Sequence, residues 1–479
     1  MTYEERIRWF NDTDDEFCSG DIRDAEAPGW LREHAPKLEC PEEVLNEIFT
    51  FRTWTYRKHI RTTPEGAVIT EFLPDVSWAG PYNTINCAAG FHIREGRWFR
   101  GTEDIFRSYL RFWLRGSGQS HSYTTWLPHA ALDWCRVSGD YAFGISLLDD
   151  FVRDYEQWEK DWLHPCGLFF SVDDRDGMED SISGSGLRPT RNGAMYGSAC
   201  AIAEFGRMAG RTDIEERFTK KAEALKAAME LMWDKDFYRV IPEEYVPLAD
   251  AGKFDFSLVS PDKYVREELG YVPWMFSAAG TEKSVAFRQL LTEEGFKAPY
   301  GITTAERRHP RFMFEFDHEC LWNGPVWPFA TSQTLTGAAN LLRSGSQSDF
   351  TKEDYYSLLL QYAKSQYLGD IPWIDEDMDP FTGDWTARTI LKSQGFPKRC
   401  GGYERGRSYN HSMFCDLVLT GLLGIDPSGD TLRVEPLIPD GWTWFRASDI
   451  PFRGDSYVIT YDKDGSHFGG EAGITVTKA

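Results

Sequence analysis

Gly193-Ala194-Met195-Tyr196-Gly197-Ser198-Ala199-Cys200-Ala201 carries no charge, is built mostly of small residues, and falls inside a segment of helical periodicity at 191–209. A helix with no water-preferring face is buried on all sides. Thr124-Thr125-Trp126-Leu127-Pro128-His129-Ala130-Ala131, Val326-Trp327-Pro328-Phe329-Ala330-Thr331-Ser332 and Tyr409-Asn410-His411-Ser412-Met413-Phe414-Cys415 share that character. Between these runs lie segments with one charged face, as at Ile214-Glu215-Glu216-Arg217-Phe218 and Glu353-Asp354-Tyr355-Tyr356, which suit an outer position.

Periodicity predicts twelve helical segments, near 41–60, 82–91, 102–115, 122–138, 141–160, 191–209, 212–233, 262–279, 282–294, 323–342, 351–366 and 408–423. Links after inner-type helices are short and contain glycine, as at Ser138-Gly139-Asp140 and Ala209-Gly210-Arg211. Links before most inner-type helices are long, at 162–190, 234–261, 295–322 and 367–407. Long loops in a compact domain are usually functional. Six hairpins closed into a ring would place every long loop at one end. The expected fold is therefore all-α, an (α/α)6 toroid of six helical hairpins over 41–427. Residues 1–40 are expected to form an N-terminal arm. Alternating residues at Thr431–Leu437 and Ser456–Asp462, with Asp464-Gly465 as a turn, predict a small β appendage at 428–479.

Composition narrows the partners. The 479 residues include 18 Trp, 21 Tyr and 32 Phe, and the formal net charge is -23. Aromatic faces stack on sugars and bases alike, but that charge repels a phosphate backbone, which excludes nucleic acid and favours neutral, hydroxyl-rich ligands. The nine cysteines are scattered, with no Cys-x-x-Cys or Cys/His cluster, so neither a zinc site nor a disulfide framework is expected. No 18-residue apolar run occurs, and Met1-Thr2-Tyr3-Glu4-Glu5-Arg6 lacks a basic start and an apolar core. The expectation is a cytoplasmic protein without a membrane partner.

Three constellations fall on the long-loop end. In Asp173-Asp174-Arg175-Asp176-Gly177-Met178-Glu179-Asp180-Ser181, clustered like charges favour one carboxyl keeping its proton, as a general acid requires. The same loop reads equally as a solvated turn or a cation site at Asp174, Asp176 and Asp180. Trp373-Ile374-Asp375-Glu376-Asp377-Met378-Asp379-Pro380-Phe381-Thr382-Gly383-Asp384-Trp385 supplies a second acidic cluster. A pair of carboxyl groups is what glycosidic hydrolysis uses. Asp317-His318-Glu319-Cys320-Leu321-Trp322-Asn323-Gly324-Pro325-Val326-Trp327 sets indole faces beside Asn and Gly, as does Asp75-Val76-Ser77-Trp78-Ala79-Gly80-Pro81-Tyr82-Asn83. No Gly-x-Ser-x-Gly elbow, P-loop or dinucleotide fingerprint occurs.

These motifs resemble those of the six-hairpin glycosidases of glycoside hydrolase families 37 and 63, which include trehalase, processing α-glucosidase and mannosylglycerate or glucosylglycerate hydrolases. Asp176-Gly177-Met178-Glu179-Asp180-Ser181 lies in the frame of that family's acid motif, with Glu179 in place of aspartate and Asp180 as the rival. Glu376-Asp377-Met378-Asp379-Pro380-Phe381-Thr382-Gly383 lies in the frame of its base motif, with Met378 in place of tyrosine. Trp322-Asn323-Gly324-Pro325-Val326-Trp327 is similar to its substrate strip, with Asn323 in place of arginine. The resemblance covers 40–425 and implies an inverting exo-glycosidase, with Glu179 as acid and Glu376 as base. The expected sugar contacts are Asp75, Trp78, Asn83, Asp180, Arg188, Trp322, Asn323, Trp327 and Trp373. No metal ligand set and no cofactor is expected, although calcium is bound in some members. The expected substrate is an α-glucoside or α-mannoside in an oligosaccharide or small glycoconjugate. An L-arabinofuranoside or L-rhamnoside is the alternative within the class. A sugar phosphorylase, an epimerase and a sugar-binding protein without catalysis are the alternatives outside it.

Overall fold

In the computed structural model the described residues are 1–18, 20–314, 318–399 and 401–479. Asp317, which opens the third constellation, lies outside them. Six inner helical segments follow one another in chain order: Ala89–Gly96, Leu127–Ser138, Pro189–Met208, the short pair Glu268–Tyr271 and Val272–Met275, Pro328–Ser344, and Phe414–Leu422. Each touches the next, and the last touches the first, so the described residues close a ring. Outer segments Glu103–Arg115, Leu148–Trp162, Thr212–Ala228, Thr281–Leu291, Lys352–Ser365 and Glu43–Tyr56 pack around it.

Small residues on the inner helices have a packing cause. A Cβ on Gly90 would come within 2.4 Å of the Trp126 ring, and one on Gly197 within 2.3 Å of Phe276. Glycine there lets an aromatic ring from the next inner helix reach the backbone, so neighbouring helices approach closely. Proline stands in the first turn of Leu127–Ser138, Pro189–Met208, Val272–Met275 and Pro328–Ser344. There its missing N–H costs no helical hydrogen bond and its fixed φ favours helix entry. Each long loop is thereby turned into its inner helix at one end of the ring. At the other end Gly139, with φ of 78°, closes Leu127–Ser138 in the left-handed conformation.

The all-α expectation needs correction. Short two- and three-stranded pairings punctuate the long loops, and a four-stranded antiparallel sheet lies at the C-terminal end. Its strands are Lys37–Glu39, Trp444–Phe452, Asp455–Asp462 and Gly473–Lys478. Residues 37–39 pair with 446–448, so the N-terminal segment, which also forms helices Tyr3–Thr13 and Ala27–His34, is stitched into the β appendage. The strand at 444–452 escapes a period-two reading because a register shift between Ala447 and Ile450 breaks its alternation. The predicted helix at 262–279 is interrupted, with only 272–275 α-helical. Among the described residues no helix is long and apolar enough to cross a membrane.

Candidate active site

The acidic loop owes its shape to Arg188. This fully buried guanidinium, just ahead of Pro189–Met208, donates from Nε to Asp176 at 2.6 Å and from Nη1 to Asp173 at 2.9 Å and the Gly184 carbonyl at 2.7 Å. It also reaches the Met178 carbonyl at 3.2 Å. Removing one partner from such a buried ion pair would leave an uncompensated charge, so the loop has one low-energy path. Gly177 at φ 85° and Asp180 at φ 53° turn the chain on either side of Glu179, and the Trp322 backbone N–H donates to the Glu179 carbonyl at 3.1 Å.

Glu179 thereby faces a cavity of about 270 Å³ at the loop end of the ring, and Glu376 reaches the same cavity from another long loop. Burial raises the Glu179 carboxyl above the ordinary range, against the Cys320 thiol hydrogen bond and His318, which lower it. Burial also pushes the Cys320 thiol up, and the charges of Glu179 and then Glu376 push it further. A neutral S–H therefore donates to Glu179 within reach of the Glu376 charge.

Glu376 has different company. Arg405 Nε donates to its Oε1 at 2.8 Å and Nη2 to its Oε2 at 3.2 Å, while Nη1 donates to Glu319 at 2.7 Å. The guanidinium lies over the Trp78 ring, 4.9 Å from its centroid. Burial works against the Arg405 charge, but Glu376 and then Glu319 outweigh it and hold the group above its ordinary range. Burial, followed by the charge of Glu376, pushes Asp375 up to about 7 and raises Asp377 as well. Of the three carboxyl groups, Glu376 is the one that Arg405 meets.

Of the expected sugar contacts, Trp78 and Trp327 line the cavity. The remaining seven stand elsewhere. Trp322 is 2% exposed and stacks behind Trp327, with centroids 4.4 Å apart. Asn323 is fully buried. Arg188 is spent on the acidic loop. The Asn83 carboxamide accepts from the Val76 N–H and donates to the Phe72 and Pro74 carbonyls, so it pins the turn that carries Trp78. Asp75 is exposed and pairs with Arg61 at 2.9 Å. Asp180 points to His318, 3.9 Å away. Trp373 donates to Asp375 at 3.1 Å and faces a separate cleft with Phe51, Trp54 and Arg407. These seven act on the cavity through what they position or stand apart from it.

Several lining residues are absent from the expected set. Arg405 lies in the predicted loop 367–407 and Tyr409 and His411 in an inner-type run, whereas Glu71 and Cys87 stand in stretches with no motif. The Tyr409 hydroxyl donates to Glu71 Oε1 at 2.7 Å and also meets His411 Nδ1. Together with Asp174, Glu179, Glu319 and Glu376, Glu71 brings the described carboxylates of the lining to five, against one arginine.

A closed ring of helical hairpins with a carboxylate-lined cavity at its loop end defines the six-hairpin glycosidase class. The chain belongs to the mannosylglycerate hydrolase MGH1-like glycoside hydrolase domain family, whose match runs over residues 81–412. It is similar throughout to a sialidase of known structure, at 34% identity and a TM-score of 0.90; the alignment covers 100% of this chain and 43% of that one. This chain therefore spans less than half the length of that protein. The GH63 mannosylglycerate hydrolase from Thermus thermophilus in complex with glucose shares the fold at 12% identity and a TM-score of 0.52, over 77% of this chain and 98% of that one. The GH78 family rhamnosidase of a Bacillus species shares it at 13% and 0.54, over 89% and 40%.

Proposed function

We propose that this chain is an inverting, exo-acting glycoside hydrolase that releases a terminal neutral sugar, of α-glucoside or α-mannoside type, from an oligosaccharide or small glycoconjugate. The observation that carries this reading is that Glu179 and Glu376 reach one small cavity from separate loops with opposite hydrogen-bonding company. Glu179, its proton favoured by burial, protonates the departing glycosidic oxygen. Glu376 takes a proton from water, whose oxygen bonds to the anomeric carbon on the opposite face. Glu319 gives Arg405 a second carboxylate to hold when Glu376 becomes neutral. Trp78 and Trp327 offer ring faces to the sugar. A cavity of about 270 Å³ lies below the roughly 300–1,000 Å³ of sites for drug-sized ligands, which favours one terminal residue over a long chain.

The 34%-identical sialidase favours a second reading, an anionic terminal sugar. Five carboxylates in the described lining, with its arginine already engaged by Glu376 and Glu319, weigh against it. They weigh equally against phosphate as the attacking group of a phosphorylase.

Turnover of a panel of aryl glycosides, natural oligosaccharides and sialosides, with NMR of the first-formed anomer, tests the reading. The expected outcome is cleavage of a neutral glycoside with inversion. Glu376→Gln should lower kcat by roughly 10²–10⁴-fold while sugar binding by calorimetry persists. Wild-type turnover in that variant overturns the base assignment, a retained anomer overturns inversion, and selective sialoside cleavage overturns the neutral substrate.

A further inference from the structure

Glu71 and Cys87, 16 residues apart, meet His411 from the far end of the chain, all buried, in the wall of the cavity. Among the described residues they are the one group of three or more His, Cys, Asp or Glu side chains close enough to share an ion, with ligand atoms within 4.8 Å of one another. Cys87 Sγ lies 3.7 Å from His411 Nε2 and 4.0 Å from Glu71 Oε2. Both contacts are long for hydrogen bonds. Zinc bonds of about 2.3 Å to sulfur and about 2.0–2.2 Å to nitrogen or oxygen, set at a tetrahedral angle, would separate those ligand atoms by ~3.6 Å. The two separations from Cys87 Sγ lie within a few tenths of an ångström of that value.

Proton placement agrees with it. The Tyr409 hydroxyl meets both Glu71 Oε1 and His411 Nδ1, and Nδ1 itself lies 2.9 Å from that same Oε1. With the hydroxyl's single proton given to the carboxylate, both groups facing Nδ1 are acceptors, so Nδ1 carries the ring hydrogen; that fixes the imidazole tautomer and leaves a lone pair on Nε2, the nitrogen turned to Cys87. Oε1 of Glu71 is thus used by Tyr409 and His411 Nδ1, while Oε2 faces the thiol. An outer hydrogen bond that fixes a ligand histidine's tautomer is the usual support of a metal site.

We propose that Glu71, Cys87 and His411 form a three-ligand site for a zinc-type divalent transition metal, with its fourth position open to the cavity. Thiolate and imidazole donors favour such an ion over calcium, which takes six to eight oxygens. On the reading of the cavity as a sugar site, the open position would accept a water or a sugar hydroxyl. The ligand set itself does not depend on that reading.

Cobalt titration of the chelator-treated full-length protein tests the site without any substrate. One Co²⁺ per chain is expected, with a sulfur-to-cobalt charge-transfer band in the near ultraviolet and displacement by Zn²⁺. Cys87→Ser should abolish that band, and His411→Gln should weaken binding by at least about 10-fold. Tyr409→Phe keeps all three ligands and should also weaken binding roughly 10-fold, through lost orientation. Cys200→Ser, on the helix Pro189–Met208, should leave the titration unchanged. Circular dichroism establishes that each variant is folded. Absence of the band from the folded wild-type protein, or its survival in Cys87→Ser, overturns the site; failure of the glycosidase assays alone does not touch it.

Discussion

At the scale of single residues, the proposed division of labour rests on two glutamates with different neighbours. Glu179 is half-buried and its carboxyl is raised by burial, so protonation extends to higher pH than for a free glutamate and activity should fall on the alkaline side as the proton is lost. Glu179→Gln cannot supply a proton. On natural glycosides it is expected to lose roughly 10²–10⁴-fold in kcat, while a glycosyl fluoride, whose leaving group needs little protonation, should retain most of its turnover. The two substrates compared side by side check this: equal losses on both would remove Glu179 from the acid role and return Asp180 to consideration. Motif frames singled out two glutamates that the fold brings to one cavity, because a motif fixes residue type and local spacing together. They did not separate Trp327, which faces the cavity, from Trp322, which backs it. Nor could they show that Arg188 serves its own loop, since that depends on burial. Arg405, Glu71 and Cys87 escaped because the contacts that give them meaning join residues 29, 338 and 324 positions apart.

At the scale of elements, the ring is set by how closely the inner helices approach. The uncharged run around Gly197 was enough to mark an inner helix; what could not be read was which ring fills each gap. Gly197→Ala places a methyl group 2.3 Å from Phe276. Overpacking a tight core typically costs about 1–3 kcal/mol, more than the helix propensity gained. Gly29 lies in the short helix Ala27–His34, and a methyl group added there would meet nothing within 4 Å, so Gly29→Ala should stabilise by up to about 1 kcal/mol. Denaturant unfolding of the two variants is the check: opposite signs are expected, and a neutral Gly197→Ala would mean that the inner helices pack more loosely than this. The β elements were less legible for the converse reason. Strand 444–452 changes its inward face at the register shift, and strand 37–39 is too short to show a period at all.

At the scale of the whole molecule, carboxyl groups buried behind the cavity and inside the ring make stability depend on pH. Burial raises Glu95, Glu267 and Asp375 each to about 7. For a carboxyl whose folded pKa is raised, the folded chain holds its proton more tightly than the unfolded chain. The associated stability is present in full below the unfolded value, near 4.5 or 3.8, and is lost as pH rises through about 7. The net charge of -23 adds repulsion in the same direction. Asp133 and Asp416, which burial would raise but which their histidine and arginine neighbours hold down, act oppositely and only under strong acid. Stability should therefore be greater at pH 5 than at pH 8. Glu267 gives the sharpest test, because it lies away from the cavity and holds the Ile182 N–H at 2.8 Å and the Ser183 hydroxyl. Glutamine copies the protonated acid there: its oxygen accepts from Ile182 while its amide donates to the Ser183 hydroxyl. Glu267→Gln should thus match the wild-type melting temperature at pH 5 and exceed it by a few degrees at pH 8. Thermal melts across that interval measure the difference, and parallel curves for the two proteins would show that Glu267 is ionised in the folded chain throughout.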